Sequence, residues 1–162
     1  MTDIQKMTER LLEEVQKLHH RQELSKTVTE DYFEPGMMEY LDQSDGTYDP
    51  DTGKLVLRFE SMGTRYDGRT ELIEAVQIGE KVSIVRDRVN TYNSNNFTMV
   101  IGKDKNIGNV PAALCNAIAP LYDKGLLVIE DAEVSFVEPI SVRSRYAKRA
   151  VLFVKMTGRL LP

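Results

Sequence analysis

Three short stretches of this 162-residue chain set arginine beside tyrosine. GTRYDG at 63–68 pairs Arg65 with Tyr66. RDRVNTYN at 86–93 spreads Arg86, Arg88, Asn90 and Tyr92 along one segment and ends on Asn93. RSRYAKR at 143–149 places Tyr146 among Arg143, Arg145, Lys148 and Arg149. A guanidinium matches phosphate oxygens with paired N–H groups. A tyrosine ring offers a face on which any base can stack, worth about 1–3 kcal/mol per base. Basic and aromatic residues interleaved on loops therefore make a workable surface for single-stranded nucleic acid. The same residues also suit a solvated charged rim whose tyrosines are half packed into the core.

Other chemistry is poorly supplied. There is no phosphate-cradling glycine loop, no HExxH, no CxxC pair and no nucleophile elbow. Cys115, the one cysteine, sits among Ala113, Leu114, Ala117 and Ile118 and reads as a small buried hydrophobe. His19 and His20 are neighbours on an expected helix, so their rings diverge by about 100° and cannot share a metal from it. Asp45, Asp49 and Asp51 resemble part of a calcium loop but lack its terminal glutamate and ligand spacing. The expectation is a non-catalytic protein with no metal and no cofactor.

The elements that must position these loops change period midway. Ile4, Met7, Leu11, Val15 and Leu18 recur at helical spacing, which predicts an amphipathic helix over 3–25. Its apolar stripe needs a cover, either the parent domain or a second chain. Residues 29–43 read as two short helical turns broken at Pro35–Gly36, and 43–53 as turns. After Gly53 the period becomes two. Strands are expected at 55–59, 72–77, 82–87 and 97–101. A hairpin turn is expected at 102–106, a helix at 111–124 ending at Gly125, and one or two strands within 126–137. Residues 150–156 close the sheet. This order suggests an α+β, mainly β fold: a small barrel with an inserted helix, behind a helical N-terminal extension.

Charge divides at the same place. The chain carries a net −4, but residues 1–50 hold 12 acidic and 5 basic side chains, against 13 and 16 in residues 51–162. The expected division is thus an acidic helical extension, 1–50, and a mildly basic β domain, 51–162. Apolar residues make up 41% of the chain with no run near the ~20 that a membrane span needs. The first residues lack a basic-then-apolar signal pattern, so a cytoplasmic protein away from membranes is expected.

From about Val56 to Met156 the sequence resembles the HIRAN domain family. GTRYDG is similar to its first motif, and GEKVSIVRDRVNTYN at 79–93 to its second. Asn96 to Ile101 resembles the strand that follows. IGNVPAALCNAIAPLYDKG at 107–125 resembles its Gly-x-x-Pro start to a helix. The resemblance implies an OB-like barrel that captures the 3′ end of single-stranded DNA. Arg65 would contact phosphate, Tyr66 and Tyr92 would stack on the terminal bases, and Asn90 would hydrogen-bond nearby groups. Where the family has an aspartate that accepts from the 3′-hydroxyl, this chain has Asn93, a neutral and weaker acceptor. A family histidine and lysine before the helix stand here as Asn109 and Ala112. Nothing in the resemblance assigns a role to Arg143, Arg145 or Tyr146, which join the candidates as possible compensation.

Two readings follow. One is a non-catalytic module for single-stranded DNA or DNA 3′ ends, using Arg65, Tyr66, Asn90, Tyr92, Asn93, Arg143, Arg145 and Tyr146. The other is a protein-interaction or dimerisation domain that keeps the barrel and works through the helix at 3–25.

Overall fold

A computed structural model describes residues 4–16, 46–49 and 51–161. Residues 4–16 form helix α1. Leu11 and Val15 are buried in the main hydrophobic core, and Met7 and Leu12 pack against it. The stripe is therefore covered by the chain's own domain, which is how an amphipathic helix this short becomes stable. Leu18 with the rest of the expected helix, the turns expected within 29–43, the two histidines and Asp45 lie outside the described residues.

Strands β1 (Gly46–Tyr48), β2 (Lys54–Glu60), β7 (Val151–Leu160) and β6 (Leu127–Glu138) form one antiparallel sheet in the order β1-β2-β7-β6. Strands β3 (Ser83–Asp87), β4 (Asn96–Ile101) and β5 (Lys105–Asn109) form a second sheet in sequence order. The period-two reading of β2 holds: Leu55, Leu57 and Phe59 are buried, while Lys54, Val56 and Arg58 are not. Leu127–Glu138 is one long strand that bends past β7 at two register shifts. β5 carried no clear strand signal, because Asn106, Gly108 and Asn109 are turn formers.

No continuous ladder closes the two sheets into a barrel; short seams tie them instead. Met62, just past β2, bridges Asn109 at the end of β5, and Lys81, just before β3, bridges Glu133 in β6. The second seam is reinforced where Val82 N donates to Ala132 O at 2.9 Å and Val134 N to Glu80 O at 2.9 Å. The fold remains the expected mainly β architecture, with the expected helix inserted between β5 and β6.

Two stretches differ from expectation. Residues 46–48, expected as turn, form β1 because β2 beside them offers an open edge to pair with. The strand expected at 72–77 is instead a short helix, α2 (Arg69–Ile73), followed by turn. Its buried residues are Arg69, Ile73 and then Val76, at spacings of four and three. A run this short carries too few apolar positions to separate period two from period 3.6. Helix α3 (Ala112–Asp123) starts where expected, with Pro111 at its N-cap. It buries Leu114, Cys115, Ile118, Ala119 and Leu121. It stops at Gly125, whose φ is 74°. Gly125 N donates to Tyr122 O at 3.0 Å and Leu126 N to Leu121 O at 2.9 Å, which caps the final carbonyls.

Two predictions follow from the packing. Leu11→Ala removes a wholly buried side chain from α1 and is expected to cost about 2–5 kcal/mol in urea unfolding; an unchanged midpoint would mean that α1 does not share the core. Burial pushes the Cys115 thiol up to about 11, leaving on the order of 0.1% thiolate at pH 8. Native protein should therefore resist iodoacetamide at that pH and react fully in urea.

Candidate nucleic-acid interface

The tyrosines of the three stretches sit on loops, and strand pairing places those loops along one rim. The loop 88–95 joins β3 to β4, and Asn96 at its end faces Asp87 across the ladder. Asn96 Nδ2 donates to Asn109 Oδ1 at 3.1 Å, linking that base to the end of β5. Asn109 in turn pairs with Met62, where the loop 63–68 begins. On the far side Ser61 N donates to Leu152 O at 2.7 Å and Thr64 Oγ1 to Ala150 O at 2.7 Å. Those bonds set the same loop beside the segment 143–149, which leads into β7. The rim thus runs from loop 88–95 through loop 63–68 to loop 143–149. Neighbouring strands are only about 4.8 Å apart, so these loops are close in space although up to about 80 residues apart in sequence.

The loop 63–68 is pinned from inside. Arg69 is buried and its Nη1 donates to Gly63 O at 3.1 Å, while Thr70 Oγ1 donates to Thr64 O at 2.6 Å. Asp67 has a φ of 59° between two turn glycines, the left-handed conformation that aspartate tolerates best among charged residues. Arg65 and Tyr66 face outward. The Arg65 guanidinium carbon lies 5.8 Å from the Tyr66 ring centroid, and Tyr66 is 60% exposed.

The loop 88–95 carries Tyr92 at 97% exposure. Asn90 Oδ1 accepts from Tyr92 N and Asn93 N, both at 3.0 Å. That oxygen is filled, so Asn90 shapes the loop. Asn93 Oδ1 accepts from Asn95 N at 3.0 Å, and Asn93 Nδ2 donates to Asn116 Oδ1 at 3.1 Å. An amide oxygen has two lone pairs, so Asn93 retains capacity for one more donor. Arg86, which looked like a surface cation, has a buried guanidinium. Its Nε and Nη2 donate to the two Asp123 carboxylate oxygens at 3.0 and 3.1 Å, and its Nη1 to Ser94 O at 2.7 Å. Arg88 Nη2 shares Asp123 Oδ1 at 2.7 Å.

The basic segment 143–149 divides in two. Arg143 is a correction to the expected phosphate-binding set: its side chain is buried beside that of Glu138, with Nη1 3.8 Å from Oε1. Arg149 Nη1 donates to Glu60 Oε1 at 2.7 Å. Those two fasten the segment to the sheet. Arg145 and Tyr146 face outward, the guanidinium carbon 4.9 Å from the ring centroid and Tyr146 61% exposed. Of the eight candidates, seven therefore reach the rim and Arg143 does not.

Asn116 and Asp123 were missed by sequence reasoning. Asp123 did carry a signal: it sits in the last turn of α3, where the helix dipole disfavours an acid. Such a residue needs another partner, and Arg86 is that partner. The Arg86 hydrogen bonds, helped by both guanidinium charges, hold the Asp123 carboxyl below its ordinary 3.8. A lowered folded-state value means that the pairing stabilises the fold above the ordinary carboxylate range and fades as pH falls through the lower one. Asp123→Asn is expected to be less stable than wild type at pH 7, with the two urea midpoints converging as pH falls well below the ordinary carboxylate range. Equal midpoints at neutral pH would show that the pairing adds nothing.

The HIRAN domain family profile matches residues 54–154. Among solved structures, the crystal structure of the HIRAN domain of human HLTF is 24% identical, with a TM-score of 0.45 over 64% of this chain and 76% of that one. The NMR structure of the HLTF HIRAN domain in its DNA-bound conformation is 22% identical, with a TM-score of 0.44 over 65% and 75%. A crystallised protein from Lactobacillus plantarum is 17% identical, with a TM-score of 0.47 over 65% and 98%. No curated protein matches the chain. The profile match spans more than half of the chain, and its limits enclose all three arginine–tyrosine loops and the start of β7: this chain belongs to the HIRAN domain family.

Proposed function

We propose that this chain is a non-catalytic nucleic-acid-binding module for single-stranded DNA or DNA 3′ ends. Residues 51–162 supply the binding unit, and 1–50 its acidic extension. The observation that carries the reading is Tyr92, 97% exposed at the tip of a loop fastened by hydrogen bonds on both sides. A fully exposed ring on an anchored loop is a poor use of apolar surface unless something stacks on it. Tyr66 offers a second face from the neighbouring loop.

Arg65 beside Tyr66 supplies the phosphate contact, and Arg88, Arg145 and Lys148 add exposed positive charge nearby. Asn93 contributes one neutral acceptor where the family pattern has a carboxylate. Arg145 and Tyr146 extend the same rim; Arg143 belongs to the fold. Family membership brings the expectation of DNA-end capture, and the outward rings and cations support that reading.

The test is fluorescence anisotropy with a labelled ten-nucleotide single strand, free or phosphorylated at its 3′ end, at two salt concentrations. Tyr66→Ala and Tyr92→Ala are each expected to weaken binding by about 1–3 kcal/mol. Arg65→Ala should weaken it and flatten the salt dependence. A preference for the free 3′-hydroxyl would assign end capture, whereas indifference would assign general single-strand binding. No binding by wild type at low salt would sink the proposal.

A further inference from the structure

Tyr92 is presented by a loop that has almost no apolar support of its own. Val89 and Tyr92 are 89% and 97% exposed, so neither packs the loop down. Its conformation instead rests on polar bonds to one face of α3. Asp123 accepts from Arg86 and Arg88 where the chain leaves β3. Asn116 Oδ1 accepts from Asn93 Nδ2 at 3.1 Å and Asn95 Nδ2 at 3.2 Å where the chain returns to β4. Asn116 and Asp123 are seven residues apart, about two helical turns, so they share one face of the helix. Arg86 also reaches across the loop's base, with Nη1 donating to Ser94 O at 2.7 Å and Asn96 O at 3.2 Å. The two strand-side ends of the loop are thus held by one helix and one guanidinium.

We infer that Arg86, Asn116 and Asp123 are positioning residues: α3 acts as a splint that sets the conformation of 88–95 and so aims Tyr92 at its ligand. The inference rests on the single-strand reading above for the identity of that ligand. A ring aimed before binding need not be ordered during it, and avoiding that ordering is the usual source of affinity in a preformed site.

Arg86 and Asp123 also tie α3 to the sheet, since Arg86 lies over the Phe97 ring at 5.5 Å. Loss of either therefore mixes positioning with stability. Asn116 separates the two. It is exposed, and alanine is the better helix former, so Asn116→Ala should leave thermal stability unchanged or slightly raised. Among the described residues its side chain bonds the two loop asparagines.

The experiment measures backbone ¹⁵N order parameters across 88–95 in the full chain, for wild type, Asn116→Ala, Asn116→Asp and Asp123→Asn. Anisotropy with the ten-nucleotide strand is measured on the same proteins. Asn116→Ala is expected to drop the loop below about 0.6 while α3 and β4 stay near about 0.85. It should weaken strand binding by about tenfold without lowering the melting temperature. Asn116→Asp keeps the acceptor and should restore loop order. A loop as rigid in Asn116→Ala as in wild type overturns the inference, as does a loosened loop that binds as tightly as before. If wild type does not bind the strand, the single-strand reading falls, and the order parameters alone then decide whether α3 positions the loop.

Discussion

The arrangement of the rim depends on a seam of two hydrogen bonds. Met62 N donates to Asn109 O at 2.8 Å, and Asn109 N donates to Met62 O at 2.9 Å. Those bonds join the end of β2 in one sheet to the end of β5 in the other. Ser61 Oγ donates to Ile107 O at 2.8 Å just beside them. The approach is so close that a Cβ at residue 108 would overlap Ser61 Oγ, and Gly108 also holds a φ of 131°. Only glycine satisfies both conditions. With the seam made, the loops after β2, between β3 and β4, and before β7 open onto one edge of the molecule.

Around that seam the cations divide between folding and display. Arg69, Arg86 and Arg143 have buried guanidinium groups, each placed against a carbonyl or carboxylate. A buried charge is tolerated only when it is paired and hydrogen-bonded, and removing the partner leaves a large penalty. These arginines therefore fix loops in place. Arg65 and Arg145 lie outward, each close to the tyrosine that follows it in sequence. The inner set fixes the loops that carry the outer set.

Much of the fold was legible in the residues. Alternation in 55–59 and 82–87 marked strands, and helical spacing in α1 and α3 marked amphipathic faces, because one-sided burial imposes a period on any regular element. The family resemblance rested on motifs that the profile match encloses. The failures were local. Residues 72–77 offered too short an apolar run to choose between two periods, and β5 is built from turn formers held by its neighbours.

By itself, the sequence determined which loops would carry arginine and tyrosine, because turn residues and period breaks are local properties. It also determined that α1 needed a cover. Tertiary structure alone decided that α1 is covered by the domain's own core, that the three loops share a rim, and that Arg86 and Arg143 turn inward while Arg65 and Arg145 turn outward. The physical reason is that a guanidinium's role depends on whether the folded chain sets a carboxylate or carbonyl against it. Asp123 and Glu138 lie 37 and 5 residues along the chain from the arginines they hold, and no rule of spacing brings them there.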